Sequence, residues 1–408
     1  MDLVDGKKTV DWLKFGAYCY LAFPCAVFFL GYLRLYYALP LTALVALSLI
    51  LVLRREKRGS GAGRFWAEHW RGLLLFAAIL LLWVLLSGVG GYAWQNRWDH
   101  KFRNAVFQDL VLRDWPVTDG EGNALCYYFG FWLPAALVGK LFGLSAGYFA
   151  LFLYALIGCG MAFALIFRYL GSFHWWAIVF FIFYSGLDAI SYLIFQSDGV
   201  SDFLHKLLSG EHLELATLYF NSSSNTTLLY WLYNSCVPFW VAFPLLLLTQ
   251  DKTKLPFPYA LLLLFSPFAF VGLAPAVLFL MIGGCLERKR GWLRALVCVE
   301  NFTALCIVAV VGCFFASNQS ENVKYFLPLS GAVLVRFLAY AALEYGVYLI
   351  FLPRELKRDR ILQILLATTA LTSFFVMGSS YDFAWRTCMP LAFYIGLLLL
   401  KRLSEGRA

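Results

Sequence analysis

Asp99 is followed four residues later by Arg103, with Lys101 between them, inside the long polar stretch 90–143. That spacing makes Asp99 and Arg103 neighbours on one face of a helix. Arg97 precedes them, Asp109 and Asp114 come after, and Tyr127 and Tyr128 close the polar part. A carboxylate so placed can take the proton of an acceptor hydroxyl. An arginine or lysine beside it can hold a phosphate as charge develops on a leaving group. Asp99 is the candidate base, and Arg103, Lys101 and the distant Arg386 are candidate phosphate clamps. Asn104, Asp109, Tyr127, Tyr128 and Asp382 are candidate substrate-binding residues. The same groups also suit an interfacial loop whose charges only set orientation and solubility, since structural ion pairs gather acids and bases too.

A helix over 97–113 is expected to carry these groups. Trp98, Phe102, Val106 and Leu110 recur on one of its faces. It would lie flat on a bilayer, aromatics in the interface and carboxylate toward water, and Trp115-Pro116 would end it. The surroundings call for a bilayer: 62% of the 408 residues are hydrophobic and 14% charged, against about half and a quarter in soluble domains. The apolar residues fall in runs of about 17 to 25, the length that crosses a bilayer core. The fold class is therefore all-α, a polytopic bundle in one transmembrane domain, 1–408. About twelve spans are expected, near 15–33, 36–53, 72–90, 146–168, 174–191, 228–249, 256–267, 269–285, 296–316, 331–352, 361–378 and 388–402. Residues 15–53 form an N-terminal hairpin, and 91–143 form the large loop with its juxtamembrane helix. No cleavable leader and no internal repeat is expected.

Basic residues cluster at 54–71, 252–254, 288–290, 354–360 and 401–402. They place these loops and both termini on the cytoplasmic side. The net charge of +9 thus reports orientation and not a nucleic-acid partner. Residues 127–143 are read as partly embedded on the outer side, because a crossing there would invert every later basic loop. The loops 90–143, 186–227 and 317–329 then share the outer face with SSYDFAWRTCMP (379–390). Asp382 and Arg386 are four apart and either pair with each other or complete a phosphate site. One of Asp109 and Asp114 is expected to pair with Arg113, Asp114 ahead of Asp109. Glu344 falls deep in a span, where a bare carboxylate is costly, so it faces the bundle paired or protonated. The segment NSSSNTT (221–227) offers an outer polar mouth and two weak glycosylation sequons at Asn221 and Asn225. The ten cysteines show no CxxC pair, and no disulfide framework is expected, although Cys126 and Cys388 share the outer side. His205 and His212 are seven apart, which alone does not call for a metal; no cofactor is required, and a divalent ion is left open.

The pattern D-x-x-x-[H/R]-N-A-x-F-x-D-L, then W-P-V, a Tyr pair and a proline-containing apolar stretch, resembles the GT-C class of integral-membrane glycosyltransferases, in an uncharacterised bacterial multi-spanning branch. Asp99, Arg103, Asn104, Ala105, Phe107, Asp109, Leu110, Trp115, Pro116, Val117, Tyr127, Tyr128 and Pro134 carry it. SSNTTLLYWLYN (223–234), SPFAFVGLAP (266–275) and YDFAWRTCMP (381–390) extend it to about a quarter of the chain. The resemblance implies a polyprenyl-phosphate-linked sugar donor, a glycan, lipid or protein acceptor on the outer face of a bacterial cytoplasmic membrane, transfer with inversion, and Asp99 as base. Three departures stand beside it. The loop comes after the third span where many members have it after the first, Arg103 stands where many carry His, and the acceptor-binding soluble domain of many members is absent here. A transporter or flippase of lipid-linked substrates and an outer-face glycan polymerase or ligase are the alternatives. Transporters usually show paired halves and polar groups at the midplane; a polymerase would share donor and location.

Overall fold

A chain in lipid must satisfy its backbone polar groups within itself, and helices do so segment by segment. The computed structural model describes residues 9–58, 62–96, 98–209, 213–214, 217, 219–288, 291–319, 324–377 and 381–406. Arg97, Glu211, His212, Lys289, Arg290, Ser379 and Ser380 lie outside the described residues. The helices are α1 (Trp12–Tyr32), α2 (Leu35–Arg55), α3 (Ala62–Leu86), α4 (Asp99–Leu112), α5 (Leu133–Phe142), α6 (Leu144–Leu170), α7 (Trp176–Phe183), α8 (Asp188–Phe195), α9 (Val200–Ser209) and α10 (Asn225–Leu248). They continue as α11 (Pro256–Leu262), α12 (Pro267–Glu287), α13 (Trp292–Leu296), α14 (Val299–Ala316), α15 (Gly331–Tyr340), a π-helical turn (Ala341–Gly346), α16 (Val347–Phe351), α17 (Arg354–Lys357), α18 (Arg360–Thr372), α19 (Asp382–Thr387) and α20 (Met389–Glu405). Two small antiparallel ladders join β1 (Thr9–Val10) to β2 (Lys57–Arg58) and β3 (Lys324–Phe326) to β4 (Phe375–Met377).

Among the described residues, ten helices are long and apolar enough to cross a membrane. The protein is a multi-pass helical protein of that kind. Two of the twelve expected segments are shorter. Residues 256–267 are helical only over Pro256–Leu262, bounded by the prolines at 256 and 267, and 361–378 is helical over Arg360–Thr372 before it enters β4. The segment 127–143 yields α5, whose 10 residues rise about 15 Å, half of a bilayer core. At Gly143 the chain reverses into α6: a Cβ on Gly147 would stand 3.0 Å from the Cα of Gly139, so two glycines four residues either side of the turn let the helices touch.

The chain divides into two compact units. Unit 1 comprises residues 1–178, 229–267 and 279–318; unit 2 comprises 179–228, 268–278 and 319–408. In unit 1, α2 lies against α1 and α14, α11 against α1 and α14, and α6 against α1, α3 and α5. One end of this unit is closed by buried ion pairs. Asp11 caps α1 and takes both terminal nitrogens of Arg168, at 2.7 and 2.6 Å. Lys14 reaches Glu56 at 3.1 Å and the carbonyl of Leu248 at 2.7 Å. Arg55 bridges Glu56 at 3.3 Å and Glu300 at 2.8 Å, and Lys254 lies 3.6 Å from Glu300. The starts of α1 and α14 are thereby tied to the ends of α2, α6 and α10. Lys14 and Lys252 satisfy carbonyls at the C-terminus of α10, where helices leave acceptors unpaired and favour cations.

In unit 2, α20 packs against α16, α18 and α19. Asp359 caps α18 at Leu362 and accepts the Tyr394 hydroxyl at 3.1 Å. The polar segment 221–227 is not an open mouth. Asn221 and Asn225 are buried; Asn225 donates to the Phe181 carbonyl and Thr226 to that of Ile182. These side chains stitch the start of α10 to α7, which also corrects the sequon reading, since a glycosylation acceptor must be accessible. All ten cysteines are free; Cys126 donates to the Phe314 carbonyl and Cys388 to that of Trp385.

Replacing Glu300 with Gln removes one acid that serves two cations while keeping its shape. Unfolding free energy in micelles should fall by about 3 kcal/mol, the cost of leaving a buried pair half-broken. A double-mutant cycle with Arg55→Met should show coupling; additive losses would mean that the network does not hold this end together.

Candidate functional site

The loop after α3 gathers at the end of unit 1 away from the ion network. Arg168 and Leu248 belong to the network end of α6 and α10, whereas Tyr148, Tyr230 and Trp231 of the same helices meet the loop. Gly88 makes the first turn, at φ 84°. A Cβ there would collide with the Trp94 carbonyl at 2.2 Å and His100 Nε2 at 2.7 Å, so only glycine lets the chain close back on itself. Asn96 then starts α4: its Oδ1 accepts from the backbone of Trp98 and of His100, both at 3.1 Å. This Asx-type cap satisfies amides that the helix leaves unpaired.

The helix expected over 97–113 is observed as Asp99–Leu112. Of the expected apolar face, Trp98 is 84% and Phe102 53% exposed, whereas Val106 and Leu110 are buried within the protein. The buried stripe is instead His100, Arg103, Val106, Phe107, Leu110 and Val111. The buried face of α4 thus takes in a histidine and an arginine, which apolar periodicity does not register.

His100 is 1% exposed and its bonds fix its tautomer. Nδ1 accepts the Asn96 amide at 3.1 Å, so Nε2 carries the hydrogen and donates to the Ser87 carbonyl at 3.1 Å. The ring thus pins the start of α4 to the end of α3. Burial lowers its pKa, the Arg103 charge lowers it further, and the Ser87 carbonyl and Asp99 oppose both. Nothing in the apolar pattern singles out His100; the i, i+3, i+7 spacing of His100, Arg103 and Phe107 is the available signal.

Asp99 and Arg103 form an ion pair at 3.2 Å with side-chain exposures of 43% and 4%. The carboxylate is thus exposed at the surface, and the guanidinium is buried beside it. Arg103 Nε and Nη1 are buried and make no hydrogen bond among the described residues, the 3.2 Å approach to Asp99 lacking hydrogen-bond geometry. The guanidinium acts electrostatically on Tyr233 and Cys236 of α10. A charge-bearing group with unmet donors is costly inside a protein, and an oxyanion is the partner it fits best. Lys101 is exposed. Asn104 donates to Gln95 Oε1 at 2.9 Å, and Gln95 in turn holds the Gly88 carbonyl at 2.6 Å.

Aromatic side chains flank the pair. Tyr127 stacks on Tyr128 with centroids 4.0 Å apart and meets Phe102 edge-on at 5.7 Å. Trp132, 6.0 Å from Tyr127, donates to the Tyr233 hydroxyl at 3.1 Å. On the other side Trp94 lies 5.0 Å from Trp231 and 5.4 Å from His100. Asp109 pairs with Arg113 at 2.8 Å; of the two acids weighed for Arg113 it is this one and not Asp114, because residues four apart face each other along a helix and adjacent ones do not. The next hairpin is held by Asp119, whose carboxylate accepts from Asn123 and Glu121; the Asn123 side chain holds its pKa below the usual value.

Asp382 and Arg386 belong to unit 2, whereas the Asp99 loop belongs to unit 1. They pair at 3.1 Å, and Arg386 lies over the Phe268 ring. Among the described residues no group of three or more His, Cys, Asp and Glu side chains is arranged to hold a metal. No protein-family model, curated protein or solved structure matches the chain.

The His100 tautomer sets a pH dependence. Its folded pKa lies below the unfolded value of about 6.5, so the unfolded chain takes up the proton first as pH falls. Stability should be full above about pH 6.5 and decline below it, down to the folded pKa. Unfolding free energies measured across this window for wild type and His100→Gln should fall more steeply with falling pH in wild type; equal slopes would remove His100 as a source.

Proposed function

We propose that this protein is a GT-C-type membrane glycosyltransferase. It moves a sugar from a polyprenyl-phosphate donor to an acceptor hydroxyl on the outer face of a bacterial cytoplasmic membrane, with inversion. The observation that carries this reading is the juxtaposition of a reachable carboxylate, Asp99, with a buried guanidinium, Arg103, that has donors to spare. In this reading the donor phosphate takes those N–H groups. The acceptor oxygen attacks the sugar carbon from the face opposite the phosphate, the carbon–phosphate-oxygen bond breaks, and the acceptor proton passes to Asp99. Arg103 offsets the negative charge left on the phosphate.

Other observations support it. The basic residues Arg55, Lys252, Lys254 and Arg168 gather at the end of unit 1 opposite this loop. With basic ends cytoplasmic, both termini are inside and the Asp99 loop is outside, and α1 and α2 form the added hairpin. Trp98 and Phe102, exposed on α4, suit the bilayer interface. Tyr127 and Tyr128 offer ring faces to a sugar or an isoprenoid chain. Lys101 steers the anionic donor from the surface. Arg386 is a further candidate phosphate clamp, and Asp382 a candidate substrate-binding residue. The break in α10 at Leu232, φ −137°, favours one rival reading, transport of a lipid-linked substrate through a discontinuous helix.

Mass spectrometry of lipid-linked and envelope glycans in cells lacking the protein decides between these. Wild type should restore a missing sugar and Asp99→Asn should not, with transfer reduced at least about 100-fold. Arg103→Lys keeps the charge but loses the fork of donors, and should also lose activity by a factor of about 100. Restoration by Asp99→Asn would sink the mechanism, and a lipid-linked species accumulating with its sugar intact on the cytoplasmic side would favour transport.

A further inference from the structure

The short helix α9 in unit 2 turns its apolar side outward. Val200, Phe203, Leu204, Leu207 and Leu208 recur at the spacing of one helical face. None of the ten residues of α9 is buried. Leu204 and Leu207 are exposed, and Val200 and Leu208 are 63% and 85% so. The polar residues divide the rest of the surface in two. Ser201, His205 and Ser209 form an exposed stripe. Asp202 and Lys206 form another, toward α8: the Lys206 ammonium lies over the Tyr192 ring at 5.5 Å and pairs with Asp202 at 3.0 Å. Asp202 also accepts the Asp198 amide at 3.1 Å.

This is the reverse of a helix on a water-soluble core, which buries its apolar stripe and turns its charges outward. In water α9 would have little to hold it. A helix of ten residues is marginal alone, and this one buries no side chain within the chain. The segment that delivers α9 identifies what covers its apolar face. The preceding α8 ends the stretch Trp176–Phe195, whose 20 residues are long and apolar enough to cross a membrane. Ile190 and Ile194, four apart on α8, are exposed, as lipid-facing residues are. Residues 196–199 alone separate α8 from α9, a connection that spans at most about 18 Å. α9 therefore begins at a boundary of the bilayer, and the Lys206–Tyr192 contact folds it back on α8. Its apolar face continues the lipid-facing surface of Ile190 and Ile194.

We propose that α9 is an interfacial helix that docks its Val200, Leu204, Leu207 and Leu208 face onto the bilayer. That face sits at the boundary of headgroups and acyl chains, Ser201, His205 and Ser209 face water, and Asp202 and Lys206 face α8. Asp202 neutralises Lys206 within the helix. Attraction to anionic headgroups therefore adds little, and zwitterionic lipid suffices. Docking holds the polar segment after α8 against the membrane surface and supplies the burial that the chain does not.

The test uses the full chain in phosphatidylcholine nanodiscs, with p-benzoylphenylalanine replacing one exposed residue at a time. On irradiation, Leu204→p-benzoylphenylalanine and Leu208→p-benzoylphenylalanine should give lipid adducts by mass spectrometry, at least about fivefold above His205→p-benzoylphenylalanine. Adding phosphatidylglycerol should leave the yields unchanged. A second measurement needs no photoprobe. Amide exchange over 200–209 should speed up at least about tenfold in Leu204→Gln/Leu208→Gln, which removes the docking face and changes no buried residue. Four results would overturn the proposal: equal adduct yields from the two faces, coupling from position 208 to protein in place of lipid, a yield that needs phosphatidylglycerol, or unchanged exchange in the double variant. None of these readouts involves sugar transfer, so this surface and the glycosyltransferase reading fail independently.

Discussion

A polar group withdrawn from water must find its partner inside the chain, and unit 1 is organised by that constraint. Lys14 is nearly buried, yet it bonds to Glu56 and to the last carbonyls of α10. Glu56 is shared with Arg55, which continues to Glu300 and thence to Lys254. Each charge lowers the cost of burying the next, and no member can be removed without leaving another exposed to low dielectric. The helices that carry these residues are otherwise apolar cylinders, which lipid would let slide. The network gives their ends a fixed register.

Fixing one end fixes what the other end can do. The loop from Ser87 to Trp132 sits on helices whose far ends the network holds. There the polar groups are not all satisfied: His100 is fully bonded to Asn96 and Ser87, whereas Arg103, one turn on and equally buried, is not. The contrast separates two jobs. His100 positions α4; Arg103 carries binding capacity that the fold does not consume.

Much of this is legible in the sequence, and the exceptions share a cause. The apolar runs mark the helices, because burial in lipid makes mean hydropathy a direct signal. The α4 helix and the Asp99–Arg103 pair are set by spacing. The inner face of α4 is not, because hydrophobic periodicity assumes that polar residues face out, and here two face in. The polar segment 221–227 departs from an open mouth for the same reason: its amides and hydroxyls are consumed by the carbonyls of Phe181 and Ile182, partners that lie more than forty residues away. Glu344 is paired, as its depth in a span demands, but its partner Asp188 lies on a helix about 150 residues earlier. Long-range pairing is what a single sequence hides.

Burial by itself does not make a charge functional. A structural site ends neutral and saturated, as Arg168 does on Asp11 with two short bonds. Arg103 ends differently, for a leucine would fill its buried position without an unmet donor. There the departure from saturation is local, buried and beside the exposed Asp99 carboxylate, which is where a ligand can complete what the chain leaves open.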